Sequence, residues 1–361
     1  MGFCSGTEER TVFCEVERMG LKKKVKMADI AKRLDVSVVT VSNALKGKKG
    51  VSEEMRSKII RTARDMGYKN VSYEKKIHDS YIIGVIVAER YVKEFPSFYM
   101  EVYKNISQEA MKRGSLTVLE VATREKENLE EEFSAFQECR VAGIILIGEM
   151  KKAYIDAVRG EYKGVPIVCV DYYDVYDDMD YIVTDSFGGM ERLTRMMVKQ
   201  GIRDLVFVGT VNATKSITDR YLGYCKALDR AGAEKAKYNI IPDRDSAGEV
   251  FDPDPQLPEK LPQGFVCNCD RTAFVVIRKL EERGINVPED ISVVGFDGYP
   301  PDASRERRLS TYKNDERILA RLSIHTMICR IEGRKKPEGI RIVEGSVIRG
   351  ESVKFRKEAR R

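Results

Sequence analysis

The chain has 361 residues, 42% hydrophobic and 33% charged, with a formal net charge of +6. This length suggests two or three structural units with a large buried core. No apolar run approaches the roughly 18–20 residues of a membrane span, and no basic segment followed by an apolar core opens the chain, so no secretory leader is expected.

The charge is unevenly placed. Residues 21–76 carry sixteen Lys and Arg against six Asp and Glu, while residues 1–20 carry two against four. A single segment therefore holds all the positive excess, as a polyanion-binding module would. The eight cysteines show neither zinc nor disulfide spacing and read as small buried thiols of a reducing, cytoplasmic protein. Cys267 and Cys269, one residue apart in an apolar run, are expected on one face of a strand.

Residues 1–24 lack periodicity and read as a disordered extension, with Met19 or Met27 as possible true starts. A first helix is expected over Met27–Leu34, where Ile30, Ala31 and Leu34 form one apolar face. Asp35-Val36-Ser37 breaks it, and Ser37 is placed to cap a second helix, Val38–Leu45. Val41 and Leu45 point back at the first helix, and Gly47 stops the second. Ser52 caps a third helix, Glu53–Met66, with Glu53 and Glu54 in its first turn. Met55, Ile59, Ala63 and Met66 are its inner stripe, and Gly67 ends it. Residues 69–80 are a polar linker.

From Tyr81 the pattern changes to alternation. Apolar runs at 81–88, 116–122, 142–148, 166–171, 181–185, 204–209, 264–270 and 291–297 read as strands. Phe98, Val102, Ile106 and Ala110 mark one intervening helix, Leu193, Met196, Met197 and Gln200 another, and Thr272–Arg283 a third. This implies parallel sheets in two α/β lobes, with ligands bound beyond the carboxyl ends of the strands. Four strands end in aspartate: Asp171, Asp185, Asp270 and Asp297. Residues 242–262 hold Pro242, Pro253, Pro255, Pro258 and Pro262, and no helix is expected there.

Asp29, Ala31, Val36-Ser37, Thr40-Val41-Ser42, Leu45 and Gly47 fall in one register, followed by Val51-Ser52 and Gly67-Tyr68. With IIGVIVA, VAGIIL, PIVCVD, DRYLGY and VPEDISVVGFD downstream, residues 25–350 resemble the LacI/GalR family of transcriptional regulators. The resemblance implies an α/β chain with a small all-α helix-turn-helix domain (25–68), a hinge (69–80), and a two-lobed periplasmic-binding-protein-like effector domain with parallel sheets (81–361). The lobes are expected at about 81–178 plus 302–332, and 179–301 plus 337–352. It implies a cytoplasmic homodimer on a palindromic double-stranded DNA operator, with the second helix in the major groove.

By that resemblance the base-reading positions are Val38, Val39 and Asn43. Many members have arginine at the third position, where an asparagine suits adenine better than guanine. Helical spacing also allows Val38 a core role. Ser37, Thr40, Ser42 and Lys46 would contact the DNA backbone, Lys46 with Lys48 and Lys49 also serving as general attraction. Ile77 falls on the hinge position that wedges into the minor groove, although Asn70, Val71 and Glu74 depart from the pattern around it. Arg220, Asp297, Asp171, Tyr172 and Tyr99 match effector-pocket positions, and Asp270 is a further candidate. A helix cap is the competing role for Asp171 and Asp297, and the favoured one for Asp185 and Asp270.

Two acids, an arginine and aromatics suit a polyhydroxylated ring, so the effector is expected to be a sugar or sugar derivative, with a purine or a protein corepressor as the other regulator reading. A sugar-binding transport receptor is the reading from another class; it requires a leader and no basic helical domain. No cofactor or metal is implied, and enzyme motifs are lacking. His78 lies in the linker and His325 among apolar helix neighbours.

Overall fold

The computed structural model describes residues 25–46, 48, 50–66, 68, 81–93, 97–131, 135–136, 139–233, 239–299 and 309–355. The expected extension 1–24, the hinge with Ile77 and His78, and Gly47, Lys49 and Gly67 lie outside the described residues. The chain divides into two compact units, Met1–Asp79 and Ser80–Arg361.

The described residues of the first unit form three helices: α1 (Met27–Leu34), α2 (Val38–Leu45) and α3 (Glu53–Asp65). Each start follows from its local chemistry. Asp29 Oδ2 accepts from Lys26 N at 2.7 Å, Ser37 Oγ from Thr40 N at 3.0 Å, and Ser52 Oγ from Met55 N at 3.3 Å, satisfying N–H groups that a helix start leaves orphaned. α1 stops at Asp35, whose φ of 51° is left-handed, a conformation aspartate tolerates better than most residues. Ile30, Ala31, Val41, Ala44, Leu45, Ile59 and Ala63 form the core.

The described residues of the second unit form two six-stranded sheets. Its strands are β1 (Ile82–Ala88), β2 (Leu116–Ala122), β3 (Gly143–Ile147), β4 (Ile167–Val170), β5 (Asp180–Thr184), β6 (Leu205–Val208), β7 (Ile240–Ile241), β8 (Gly264–Cys267), β9 (Ser292–Asp297), β10 (Ser310–Lys313), β11 (Gly339–Val343) and β12 (Ser346–Ile348). The first sheet runs β11-β5-β4-β3-β1-β2 and is parallel throughout. The second runs β12-β10-β9-β8-β6-β7, with only β12 antiparallel. Ile and Val on both faces of the central strands are buried, as a sheet covered on two sides requires. Helices α4 (Phe98–Lys112) and α10 (Glu316–Ile331) cover one face of the first sheet, and α6 (Lys152–Glu161) the other, with the one-turn α5 (Arg124–Glu127) following β2. α7 (Ser186–Lys199) and α8 (Lys215–Ala231) cover one face of the second, and α9 (Asp270–Glu282) the other. α7 and α8 meet closely at Gly223, where a Cβ would lie 2.2 Å from the Phe187 carbonyl oxygen.

The lobe limits differ from expectation. β5 and β11 belong to the first sheet and β10 to the second. The chain therefore crosses between lobes three times: from β5 to α7, from β10 to α10, and from β11 to β12. The expected cut at 178 misreads the loop before β5, which returns that strand to β4 in register, with Val168 opposite Asp180. Cys267 ends β8, whereas Cys269 lies past the strand and caps α9, so the two thiols do not share a strand face. Among the described residues no helix is long and apolar enough to cross a membrane.

Candidate functional site

α2 has two distinct sides. Val41, Ala44 and Leu45 are buried, while Val38 is 47% and Val39 67% exposed. Val38 therefore does not serve the core. At about 100° per residue, Val38, Val39, Ser42 and Asn43 share one outward arc, with Ser42 and Asn43 half-buried. Thr40 is half-buried and Lys46 exposed. Ser37 Oγ and Thr40 Oγ1 lie 2.8 Å apart. Two hydroxyls have two protons and one serves this contact, so one donor remains for an outside acceptor. The first turn of α2 holds no acid, which leaves its positive dipole end available to a phosphate.

Arg56 on α3 is a residue the sequence reading missed. It is buried, and donates from Nη1 to the Asn43 and Ala44 carbonyls at 3.3 and 3.2 Å and from Nη2 to those of Lys48 and Val51 at 2.8 and 3.3 Å. A guanidinium thereby satisfies carbonyls at the end of α2, fixing that helix against α3. Its spacing from Ile59 and Ala63, three and seven residues on, was the available signal.

In the second unit a cavity of about 420 Å³ lies among residues that follow the carboxyl ends of both sheets. Tyr99, Arg220 and Asp297 line it, as expected. Arg220 is buried on α8. Its Nη2 is 3.0 Å from Asp297 Oδ1, its Nη1 donates to the Asn268 carbonyl at 2.9 Å, and its guanidinium lies 4.1 Å from the Phe296 ring centroid. Asn314 Nδ2 donates to the same Asp297 oxygen at 3.2 Å. Burial pushes the Asp297 carboxyl up from its ordinary value, and Arg220 opposes this. Asp297 has a φ of 102°, a strained conformation for a residue with a Cβ and one that concentrates at ligand sites. Tyr99 packs against Tyr91 with centroids 4.5 Å apart and the rings inclined at 38°. Gly148 backs this pair, since a Cβ there would meet the Tyr91 ring at 2.7 Å.

Asp171, Tyr172 and Asp270 do not line the cavity. Asp171, at φ 58°, turns behind Tyr99 and accepts from its hydroxyl at 3.1 Å and from Thr184 Oγ1 at 2.7 Å. It therefore orients the aromatic wall and does not cap a helix. Tyr172 packs in the core of the first lobe, donating to Asp174 Oδ2 at 2.7 Å. Asp270 is the first residue of α9, which Cys269 caps. Its Oδ1 accepts from Thr311 Oγ1 at 2.6 Å and its Oδ2 from Tyr299 N at 2.7 Å. Burial, with the Asp297 charge adding to it, pushes the Asp270 carboxyl up to about 8. Asp185 does cap α7, accepting from Gly188 N at 2.9 Å.

The proline tract supplies part of the rim. Arg244, Glu249, Val250 and Phe251 all line the cavity. The tract is fastened by buried Asp243, which accepts from Thr210 N at 2.9 Å, Thr272 Oγ1 at 2.8 Å and Asn268 Nδ2. Polar contacts join the lobes across the cleft. Glu249 meets Lys151 at 3.0 Å and Arg124 at 3.4 Å, Lys215 N donates to Glu149 Oε2 at 2.7 Å, and Tyr173 Oη donates to Asp219 Oδ2 at 3.0 Å. Among the described residues no cluster of three or more His, Cys, Asp or Glu could hold a metal.

The family model "Bacterial regulatory proteins, lacI family" matches residues 26–70, and "Periplasmic binding protein-like domain" matches 194–353. The chain is similar to the HTH-type transcriptional repressor PurR of Glaesserella parasuis serovar 5 (strain SH0165), at 24% identity over 310 residues, covering 84% of this chain and 89% of the relative. It is similar also to the ribose operon repressor of Haemophilus influenzae (strain ATCC 51907 / DSM 11121 / KW20 / Rd), at 24% over 332 residues, covering 91% and 98%. Among solved structures, the transcriptional regulator CelR–cellobiose complex superposes with a TM-score of 0.63 at 21% identity, covering 91% of this chain and all of that one. The lac repressor dimer bound to operator and the anti-inducer ONPF gives 0.57 at 20%, covering 91% and 99%.

Proposed function

Because the chain belongs to the LacI/GalR family of helix-turn-helix transcriptional regulators, we propose that it is a sequence-specific DNA-binding repressor of a carbohydrate-utilisation operon, controlled by a small molecule held between its two lobes. The observation that carries this is α2, which buries one side and presents Val38, Val39 and Asn43 outward within the basic segment of the chain. Val38 and Val39 offer methyl contacts to thymine, Asn43 offers a bidentate partner to adenine, and Ser37, Thr40, Ser42 and Lys46 hold the phosphates. The operator is palindromic and is bound by a homodimer, as the lac repressor dimer binds its own. Ile77 acts in the hinge as an apolar wedge.

Control is linkage. An effector touching both lobes favours one arrangement of them, and the three interlobe crossings transmit that bias to the dimer. Arg220 and Asp297 take hydroxyls of the effector, Tyr99 and Tyr91 stack on its apolar face, and Asp171 and Asp270 hold the walls. A nucleobase effector is the second reading, favoured by the two aromatic rings, Tyr91 and Tyr99, that line the cavity. Selection of duplexes from a random library, followed by anisotropy titration, tests the first half of the proposal: recovery of a palindromic site is expected, and equal affinity for all duplexes contradicts it. Calorimetry with sugars and purines tests the second half.

A further inference from the structure

We propose that Lys215 is a positioning residue for effector binding: seated among groups of the first lobe, it holds the two lobes together and so brings Arg220 to the effector. This rests on the reading of the cleft as the effector pocket. The start of α8 presents two faces. Thr214, Ser216, Ile217 and Arg220 line the cavity, while Lys215 and Asp219 do not. Lys215 and Asp219 are neighbours at i, i+4 on one side of the helix. That side meets Glu149, Tyr173 and Asp174, which follow β3 and β4 of the first sheet.

Lys215 is engaged through its backbone and its ammonium. The N–H, which a helix start leaves without an intrahelical partner, donates to Glu149 Oε2 at 2.7 Å. The ammonium donates to the Tyr173 carbonyl at 2.8 Å and lies 3.0 Å from Asp174 Oδ1. It is also 5.4 and 5.3 Å from the Tyr172 and Tyr173 ring centroids, within reach of a cation–π attraction. Tyr173 Oη donates to Asp219 Oδ2 at 3.0 Å beside it. The first lobe builds this socket from its own bonds. Tyr172 Oη donates to Asp174 Oδ2 at 2.7 Å, Val175 N to Asp174 Oδ1 at 2.9 Å, and Tyr91 Oη to the Glu149 carbonyl at 2.9 Å. Opposite lobes supply the partners of Lys215, so all of these contacts are lost when the lobes part. A partly exposed ion pair adds little to folding stability. The same contacts bias the lobe equilibrium directly, because only one arrangement makes them. Arg220 rides on the same helix, and shares the cavity with Tyr91 and Tyr99 of the first lobe in that arrangement.

The test uses the full chain. Cys269 lines the cavity, whereas Cys139 precedes β3, at the opposite end of the first sheet from the cleft. Alkylation by N-ethylmaleimide, mapped by peptide mass spectrometry, therefore reads cleft opening at Cys269 with Cys139 as reference. Lys215→Met keeps the stem and removes the charge. It is expected to raise the Cys269 rate at least about threefold with the Cys139 rate unchanged, and Asp174→Asn to do the same. The double variant should be no faster than Lys215→Met, because the same contact is lost in each. Two effects that multiply would show local loosening and overturn the proposal. Calorimetry with ribose, cellobiose and hypoxanthine reads the consequence: a probe that binds should bind Lys215→Met at least about threefold more weakly, in step with the population of the closed arrangement. Cys269 rates unchanged in both single variants, or probe affinity unchanged in Lys215→Met, overturns the proposal. Probe binding indifferent to Arg220→Ala overturns the cleft reading instead, and a raised Cys269 rate would then keep Lys215 in lobe closure alone.

Discussion

Asn43 has the only side-chain amide on the outward arc of α2, beside two valines that can offer methyl groups alone. Asn43→Ala is expected to cost roughly 1–3 kcal/mol on the selected operator and little on random DNA. Equal losses on both would remove Asn43 from base reading. Asp270 makes a different prediction. Its carboxyl, near 3.9 in an unfolded chain, is pushed up to about 8 by burial and by the Asp297 charge. The folded state therefore binds its proton more tightly. The stability owed to this group is full below about pH 4, falls as pH rises toward 8, and is level above that. In Asp270→Asn the new amide could accept from Tyr299 N and donate to Thr311 without titrating. The melting temperature of that variant, measured against the unsubstituted chain, should therefore rise between pH 5 and 8; a constant difference would show an ordinary carboxylate. At this scale Tyr99, Arg220 and Asp297 were legible as cleft residues, whereas Asp171, Tyr172 and Asp270 stand behind the wall. A motif says which residue follows a strand but not which way it turns, and at Asp171 a left-handed φ sends the carboxylate behind Tyr99.

Among the elements, α2 depends on α3 through one cation. Arg56→Ala removes the guanidinium that bonds four carbonyls, and a loss of about 2–3 kcal/mol is expected. That is a large share of what so small a core can supply. Arg56→Lys should recover only part, because an ammonium lacks the planar fork. Thermal melting followed by far-UV dichroism and operator binding would show both effects; melting unchanged in Arg56→Ala would contradict the role. The three helices were legible to within a residue or two, because caps and apolar spacing agree at each of them. The eight apolar strands were legible because strands covered on both faces read as continuous apolar runs. β7, β10, β11 and β12 were not, since they are short or polar and take their strand form from a neighbour: β10 reads Ser-Thr-Tyr-Lys and is set by β9, and β11 exposes Ile340 and Ile342 on one face. Missing β10 and β11 misplaced two of the lobe limits, and β5, though legible as a strand, was assigned to the wrong sheet. The proline tract was legible as lacking a helix, but its contribution to the cleft was not, because buried Asp243 fixes it through partners distant in sequence.

For the whole molecule, the positive excess lies in the helical unit, and the three interlobe crossings join the two lobes of the other. The segment 21–76 carries the positive excess, so operator affinity should fall linearly on a log–log plot against salt concentration. The contacts between the lobes at the cleft rim, Glu249 with Lys151 and Arg124 among them, are the bonds a lobe movement would break or make. Linkage then makes a strict demand: if the effector changes operator affinity by some factor, the operator must change effector affinity by the same factor. The measurement that tests this most directly is the full thermodynamic cycle, with the selected operator titrated by anisotropy with and without saturating effector, and the effector titrated by calorimetry with and without operator. Two equal factors, each greater than about 5 and both reduced to one in Arg220→Ala, are the predicted result. An operator bound with the same affinity whether or not the effector fills the cleft would contradict the account.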